Sequence, residues 1–245
     1  MTPPRERLDQ VLVRQGLALS RSEARGLIMS GRVLLQGRKL EKCGQPVAVD
    51  ASLELVGQRS RFVGRGGLKL EQALKTFGID PVGKQALDVG ASTGGFTDCL
   101  LQYGAAAVTA LDVGYGQLAW KLRSDSRVSV LERTNIRLVN PDDFPAFDII
   151  VIDVSFISLK LVLPVVSKML SSTGEIIALI KPQFEVGKGE VGKGGIVRDP
   201  EKYKQVFDSV AEFARSSRLE LLEIIDSPLT GAKGNREFLA RVVRT

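Results

Sequence analysis

Lys69, Asp153, Lys181 and Glu237 have the types and the places to do proton chemistry on a weak nucleophile. The chain of 245 residues contains no histidine. Ser-His-Asp and Cys-His triads, His-ligated metals and an imidazole base are therefore excluded. Proton transfer falls to Lys, Asp, Glu, Tyr or water. A hydroxyl must be oriented, relieved of its proton and shielded from bulk water before it attacks. A partly buried lysine tuned by a carboxylate is suited to that work, because burial disfavours the charged ammonium. Asp153 closes the apolar run Ile150-Val151-Ile152, and Lys181 closes Leu179-Ile180. Both are thus expected at strand ends. Lys69 follows Arg65-Gly66-Gly67 on a predicted helix, and Glu237 opens the last predicted strand.

A second group reads as a cofactor turn. Asp88-Val89-Gly90-Ala91-Ser92-Thr93-Gly94-Gly95-Phe96-Thr97 follows a predicted strand and opens a predicted helix. Glycines there let the backbone approach a ligand closely. The spacing is D-x-G-x-S-x-G-G, with Ser92 where the dinucleotide pattern has its second glycine. An acidic residue at the strand end suits a cofactor with a cationic amino-acid tail and repels a pyrophosphate. S-adenosylmethionine therefore fits better than NAD. The candidates are Asp88, Gly90, Ser92, Thr93, Gly94, Gly95 and Phe96. Asp112 ends the next apolar run and is placed to grip ribose hydroxyls. Asn135, after the third run, is placed either to meet an adenine edge or simply to cap its loop.

The elements that must hold these residues alternate. Apolar runs at 86–89, 107–111, 128–131, 148–152 and 176–180 read as buried strands. Helical stretches fall near 95–103, 116–124, 158–170 and 201–216. Such alternation implies a doubly wound parallel sheet. Runs at 219–225 and 237–243 have no helix between them and read as an antiparallel pair at its edge. Residues 5–56 follow another pattern. Apolar positions at helical spacing cover 7–13; Ser20 and Glu23 form a capping box for a helix reaching Met29, with Gly31 as its stop. Short strands are expected at 33–37 and 47–49.

Charge is uneven. Of a net charge of +6, residues 1–60 hold ten Lys and Arg against six Asp and Glu. A basic small module suggests a phosphate backbone as partner. Cys43 and Cys99 lie far apart and form no CxxC, so neither a disulfide framework nor a zinc site is expected. No metal is expected. No apolar run reaches the roughly 18 residues of a membrane helix, and Met1–Glu6 is polar, so the expected location is the cytoplasm.

Residues Ser20-Arg21-Ser22-Glu23-Ala24-Arg25, Leu27-Ile28, Gly31-Arg32-Val33 and Gln36-Gly37 resemble the S-four RNA-binding domain. The resemblance implies RNA contacts from Arg14, Arg21, Arg25, Arg32, Arg38, Lys39 and Lys42. The order Lys69, Asp153, Lys181, Glu237 resembles the catalytic tetrad of FtsJ-like ribose 2′-O-methyltransferases. Longer strings resemble the hemolysin A (TlyA) family of rRNA 2′-O-methyltransferases. They include Val63–Leu70, Leu87–Thr97, Asp112–Trp120, Leu131–Asn135, Asp153–Leu159, Lys181–Gly189 and Gly234–Phe238. The fold implied is α/β: a Rossmann-like, seven-stranded S-adenosylmethionine-dependent methyltransferase domain over 66–245. A small α+β S-four-like domain over 1–58 and a linker over 59–65 precede it. The resemblance also implies ribosomal RNA or ribosomal subunits as partner, with a cytidine as target. Lys181 would orient or deprotonate the hydroxyl, Asp153 and Glu237 would set its position and charge state, and Lys69 would steady the ribose or phosphate. Arg65, Lys188 and Lys193 are further RNA-facing candidates, the last two in a glycine-rich segment, 184–199, that reads as a lid or a plain loop. Phe156 and Phe184 could stack on a base or pack in the core.

Rival chemistries lack their residues. Cytosine C5 methylation needs a cysteine at a strand end, but Cys99 falls mid-helix and Cys43 in the small module. Exocyclic-amine enzymes carry Pro-Pro where this chain has Asp153-Val154-Ser155-Phe156. Arg7-Leu8-Asp9 is superficially like a pseudouridine synthase motif but lies inside the small module. A membrane-lytic protein would need amphipathic or apolar membrane segments. A non-catalytic RNA-binding assembly factor would not need the cofactor turn or the four placed residues.

Overall fold

Why the chain folds as it does is clearest in the alternation of Ile149, Ile150, Val151 and Ile152. All four are buried, and they divide between two separate apolar clusters, so both faces of their strand are covered. A computed structural model describes residues 4–245, apart from Leu19, residues 57–60, Lys188, Lys193, Ala232, Lys233 and the side chain of Ser22. The chain divides into two units, Met1–Arg59 and Ser60–Thr245.

The small unit runs β1 (Arg5–Arg7), α1 (Leu8–Arg14), α2 (Arg21–Met29), β2 (Val33–Leu35), β3 (Arg38–Lys39), β4 (Pro46–Ala48) and β5 (Leu53–Leu55). β2 is the centre of an antiparallel sheet in the order β3-β2-β5, and β1 pairs with β4. Leu8, Val11 and Leu12 of α1 meet Ala24, Leu27 and Ile28 of α2 and Val33 of β2 in one core. The expected cap holds: Ser20 Oγ accepts from the Glu23 N–H at 3.2 Å. Gly31, at φ +68°, closes the other end, with Arg32 N–H donating to Leu27 O. β1 and β5 were not expected, being too short to show a period. The expected strand over 33–37 stops at Leu35, because Gln36 and Gly37 take positive φ and form the turn into β3.

The large unit continues with α3 (Gly66–Phe77), β6 (Gln85–Val89), α4 (Gly95–Gln102), β7 (Ala107–Leu111), α5 (Trp120–Arg123), β8 (Val128–Leu131), β9 (Phe147–Ile152) and α6 (Leu163–Met169). β10 (Leu170–Ile180), α7 (Pro182–Glu185), α8 (Pro200–Ser216), β11 (Leu219–Asp226) and β12 (Phe238–Arg244) follow. Seven strands form one sheet in the order β11-β12-β10-β9-β6-β7-β8. Five are parallel neighbours, and β12 runs antiparallel between β10 and β11. α3 and α4 supply one apolar layer and α6 with α8 the other. Strand order reverses at β6, so the crevice beyond the carboxyl ends of β6 and β9 is the natural ligand site.

Three expectations are corrected. Residues 61–65 are not a free linker: Phe62 is buried under Gly67, and the Val63 N–H donates to Asp98 Oδ2 at 2.8 Å within the large unit. The helix expected over 116–124 shrinks to α5, because carboxylates hold the preceding loop open. Asp112 accepts from Gly114 N–H, and Glu132 accepts from Gly116 N–H. The helix expected over 158–170 is a 3-10 turn, Leu159–Leu161, followed by α6, and β10 reaches back to Leu170 through a register shift.

Candidate active site

At the ends of β6, β9 and β10 lies a cleft of about 450 Å³, within the usual range for a small-molecule site. All four tetrad candidates line it. They meet as two ion pairs. Lys181 Nζ is 2.6 Å from Asp153 Oδ1, and Lys69 Nζ is 2.5 Å from Glu237 Oε2. Lys181 and Glu237 are buried, with 7% and 4% exposure. Strand geometry explains the convergence. β9 and β10 are parallel neighbours: Ile152 pairs with Ala178, and β10 runs two residues further to Ile180, which brings Lys181 to the same end of the sheet as Asp153. Lys69 lies in the first turn of α3, and Glu237 immediately precedes β12, next to β10. Lys181 and Glu237 are removed from water and held by partly buried partners, and losing its partner would strand the buried charge at a cost of about 3–5 kcal/mol.

The glycine-rich turn forms the opposite wall through Gly90, Ser92, Thr93, Gly95 and Phe96. At Gly90, φ is +90° and a Cβ would lie 2.5 Å from the Asp153 carbonyl oxygen. Only glycine lets the turn rest on the backbone that carries Asp153. Gly94 does not line the cleft; it packs on Leu118 and Leu122 and starts α4 in the left-handed region at φ +93°.

Three cofactor candidates stand elsewhere. Asp88 is fully buried, and its Oδ2 accepts from both the backbone N–H and the hydroxyl of Thr97, at 2.9 and 2.6 Å. It therefore braces the turn from beneath. Its Oδ1 is buried without a hydrogen-bond partner among the described residues. Burial pushes its carboxyl up to about 7, opposed by the Thr97 hydrogen bonds and reinforced by the charges of Asp153 and Asp112. Asp112 accepts from Ser92 N–H at 2.8 Å and from Gly114 N–H at 2.6 Å, locking the turn to the loop after β7. Asn135 caps the 3-10 turn Ile136–Leu138 by accepting from Arg137 N–H. Two carboxyl groups behind the turn, Asp88 and Asp112, give a negative field. That suits a cofactor carrying sulfonium and ammonium charges and opposes a pyrophosphate.

Several participants were invisible in the sequence. Lys181 Nζ also donates to Ser155 Oγ at 2.9 Å, and Ser155, Gln183 and Thr230 line the cleft. Glu185 accepts from the Ser158 hydroxyl and the Leu159 N–H, fixing the loop after β9. That loop carries Phe156, which is 90% exposed at φ +64° and lies 5.1 Å from Phe184, centroid to centroid. Phe156 is thus a surface ring and not a core one. Asn235, buried, donates to Gly195 O and accepts from Val197 N–H, tying the glycine-rich segment to the approach of Glu237. No motif announced it. Lys188 and Lys193 lie outside the described residues. Arg65 lines the cleft beside Lys69.

In the small unit, the basic candidates separate into groups. Arg21 and Arg25, joined by Arg7, surround the carboxylate of Asp9, which is itself completely buried. The guanidiniums stand 3.0 to 3.5 Å from it and are about half exposed. The Arg7 hydrogen bond, and then that of Arg21, hold the Asp9 carboxyl well below the usual carboxylate range against the opposing effect of burial. Arg14 pairs with Glu6 and donates to Val49 O, and Arg32 donates to Val56 O, so both brace their own unit. Arg38, Lys39 and Lys42 are exposed on and after β3.

No helix among the described residues is long and apolar enough to cross a membrane, and none of their His, Cys, Asp and Glu residues cluster as a metal site.

Known proteins resemble this chain along most of its length. The FtsJ-like methyltransferase family matches residues 62–243, and the S4 domain matches residues 6–52. YqxC of Bacillus subtilis is 49% identical over 243 residues, covering 98% of this chain and 86% of that protein. The 16S/23S rRNA (cytidine-2′-O)-methyltransferase TlyA of Mycobacterium tuberculosis is 47% identical over 236 residues, covering 96% of this chain and 88% of TlyA. A solved structure from Streptococcus thermophilus, described as a hemolysin, is 42% identical with TM-score 0.77 and covers 100% of this chain and 90% of its own. An S-adenosylmethionine-dependent methyltransferase from Mesorhizobium loti shares only the fold, at 14% identity and TM-score 0.54, over 74% of this chain and 100% of its own. By sequence and fold, this chain belongs to the FtsJ-like methyltransferase family, in the branch that includes TlyA and carries an S4 domain ahead of the methyltransferase domain.

Proposed function

We propose that the protein is a ribosomal RNA methyltransferase that uses S-adenosylmethionine to methylate the ribose 2′-hydroxyl of a cytidine. The observation that carries this reading is the pair of buried ion pairs, Lys181–Asp153 and Lys69–Glu237, in one cleft with the glycine-rich turn. When bound, S-adenosylmethionine supplies an electrophilic methyl group. The turn residues Gly90, Ser92, Thr93, Gly95 and Phe96 would hold it, braced by Asp88 and Asp112 from behind. Lys181 orients the hydroxyl oxygen, and the Lys181–Asp153 pair takes up its proton. Glu237 holds Lys69 in place to steady the ribose or its phosphate. Phe156 and Phe184 offer an exposed aromatic edge on which a base can stack.

RNA is held chiefly by charge. Arg7, Arg21 and Arg25 form an ordered cationic group of the small unit, with Arg38, Lys39 and Lys42 as further phosphate contacts. Arg65 serves the cleft itself. The test is methyl transfer from radiolabelled S-adenosylmethionine to separated ribosomal subunits and free rRNA, followed by nucleoside analysis. Label is expected in 2′-O-methylcytidine and is lost in Asp153→Ala. Label in a base-methylated nucleoside would overturn the reading.

A further inference from the structure

The loop after β9 and the segment after β10 are joined at two points. Ser155 meets Lys181, and Ser158 with Leu159 meets Glu185. The second joint has no cleft-facing partner. The first involves the lysine at the centre of the cleft. An ammonium has three N–H donors and no acceptor. Asp153 Oδ1, at 2.6 Å, takes one, and Ser155 Oγ, at 2.9 Å, takes a second. With two directions of a tetrahedral nitrogen fixed, the third is fixed as well. Lys181 lines the cleft, so that third N–H is left for whatever occupies it. Without the hydroxyl, the ammonium would be held only by Asp153 and could swing about that one contact. The next residue, Phe156, has φ +64°, an uncommon conformation for a bulky side chain. Such strain persists only where neighbouring contacts impose it, and it recurs at functional sites.

We propose that Ser155 is a positioning residue of the methyl-transfer site: its hydroxyl holds the Lys181 ammonium so that one N–H points into the cleft at the hydroxyl to be methylated. This rests on the tetrad reading above. Because the serine acts through Lys181, its removal lowers the rate of the bound complex and leaves cofactor and RNA binding in place.

The experiment uses the full chain with rRNA as substrate, comparing Ser155→Ala, Ser155→Thr and Lys181→Ala. Turnover, KM for rRNA, S-adenosylmethionine affinity by calorimetry and melting temperature are measured for each. Ser155→Ala is expected to lower kcat about 10- to 100-fold, the worth of one hydrogen bond to a charged group. KM, cofactor affinity and melting temperature should change little. Ser155→Thr, which keeps the hydroxyl, should recover most of the rate. Parental kcat in Ser155→Ala would overturn the proposal. So would a defect confined to KM, cofactor affinity or melting, or a threonine variant no better than alanine, since those outcomes assign the serine to packing. If Lys181→Ala retains normal turnover, the tetrad reading itself fails. If Lys181→Ala is inactive while Ser155→Ala is normal, only the role of Ser155 fails.

Discussion

The two units bury charge in different settings. In the small unit a single carboxylate, Asp9, is sealed inside while three arginines stand half in solvent around it. In the cleft of the large unit a lysine and a glutamate, Lys181 and Glu237, are sealed, and their partners Asp153 and Lys69 line the same cleft, while Asp88 and Asp98 are buried apart from those pairs. The first arrangement presents an ordered cationic surface to a polyanion. The second keeps proton-handling groups away from bulk water, where their mutual field is strong. Salt therefore matters differently to the two: exposed guanidiniums are screened within about 10 Å at 0.1 M salt, and a buried pair much less. Binding strength and chemistry are thus expected to be separable by mutation and by ionic strength.

The sharpest way to break that division is Lys181→Ala. Turnover should fall at least about 100-fold, with rRNA affinity in filter binding unchanged; a parallel loss of affinity would mean that the cleft is also an RNA anchor. Asp9→Asn should do the reverse. It makes the protein more positive yet weakens rRNA binding roughly three- to tenfold, because the three arginines lose the centre that aligns them. Unchanged or tighter binding would show that net charge alone suffices. Arg25→Ala should have a smaller effect, lowering the slope of log affinity against log salt by about 1, while Asp153→Ala leaves the slope as it was. The finest distinction is in pH. The Asp9 carboxyl is depressed on folding, so its contribution is full above the unfolded carboxylate range and is lost only in strong acid. Asp88 is raised to about 7, so its protonated form is favoured by folding, and stability declines as pH rises through that value. Amide exchange followed from pH 5 to pH 8 should show the large unit loosening and the small unit constant. Asp88→Asn should flatten the large unit's trend; a slope that survives this change would place its source elsewhere.

Much of this was legible in the sequence because strand ends can be read from apolar runs. The runs ending at Leu111 and Leu131 coincide with β7 and β8 as observed, and the parallel sheet then forces Asp153 and Lys181 together. What could not be read was the direction of individual polar groups. Asp88 at a strand end can face a ligand or turn back onto its own helix; Thr97, nine residues on, decides the matter by offering two donors. Ser155 and Glu185 act through partners 26 and 27 residues away, across two strands, and no local pattern marks such a pairing. Nothing local marks Arg7, since Arg21 and Arg25 join it around Asp9 only after α1 and α2 pack. The early start of β10 escaped notice because Ser171, Ser172, Thr173 and Gly174 carry no strand signal.

Among the described residues strand β12 is the last along the chain, yet it lies second across the sheet, between β10 and β11. During synthesis the turn around Gly90, and then Asp153 and Lys181, emerge well before Glu237 does. Until the β11–β12 hairpin docks with β12 inward, Lys69 has no Glu237 to pair with and one edge of β10 is bare. The nascent protein would therefore acquire its cofactor cradle first and its complete proton machinery last. Assembly order alone then leaves the Lys69–Glu237 pair unformed until the sheet is finished.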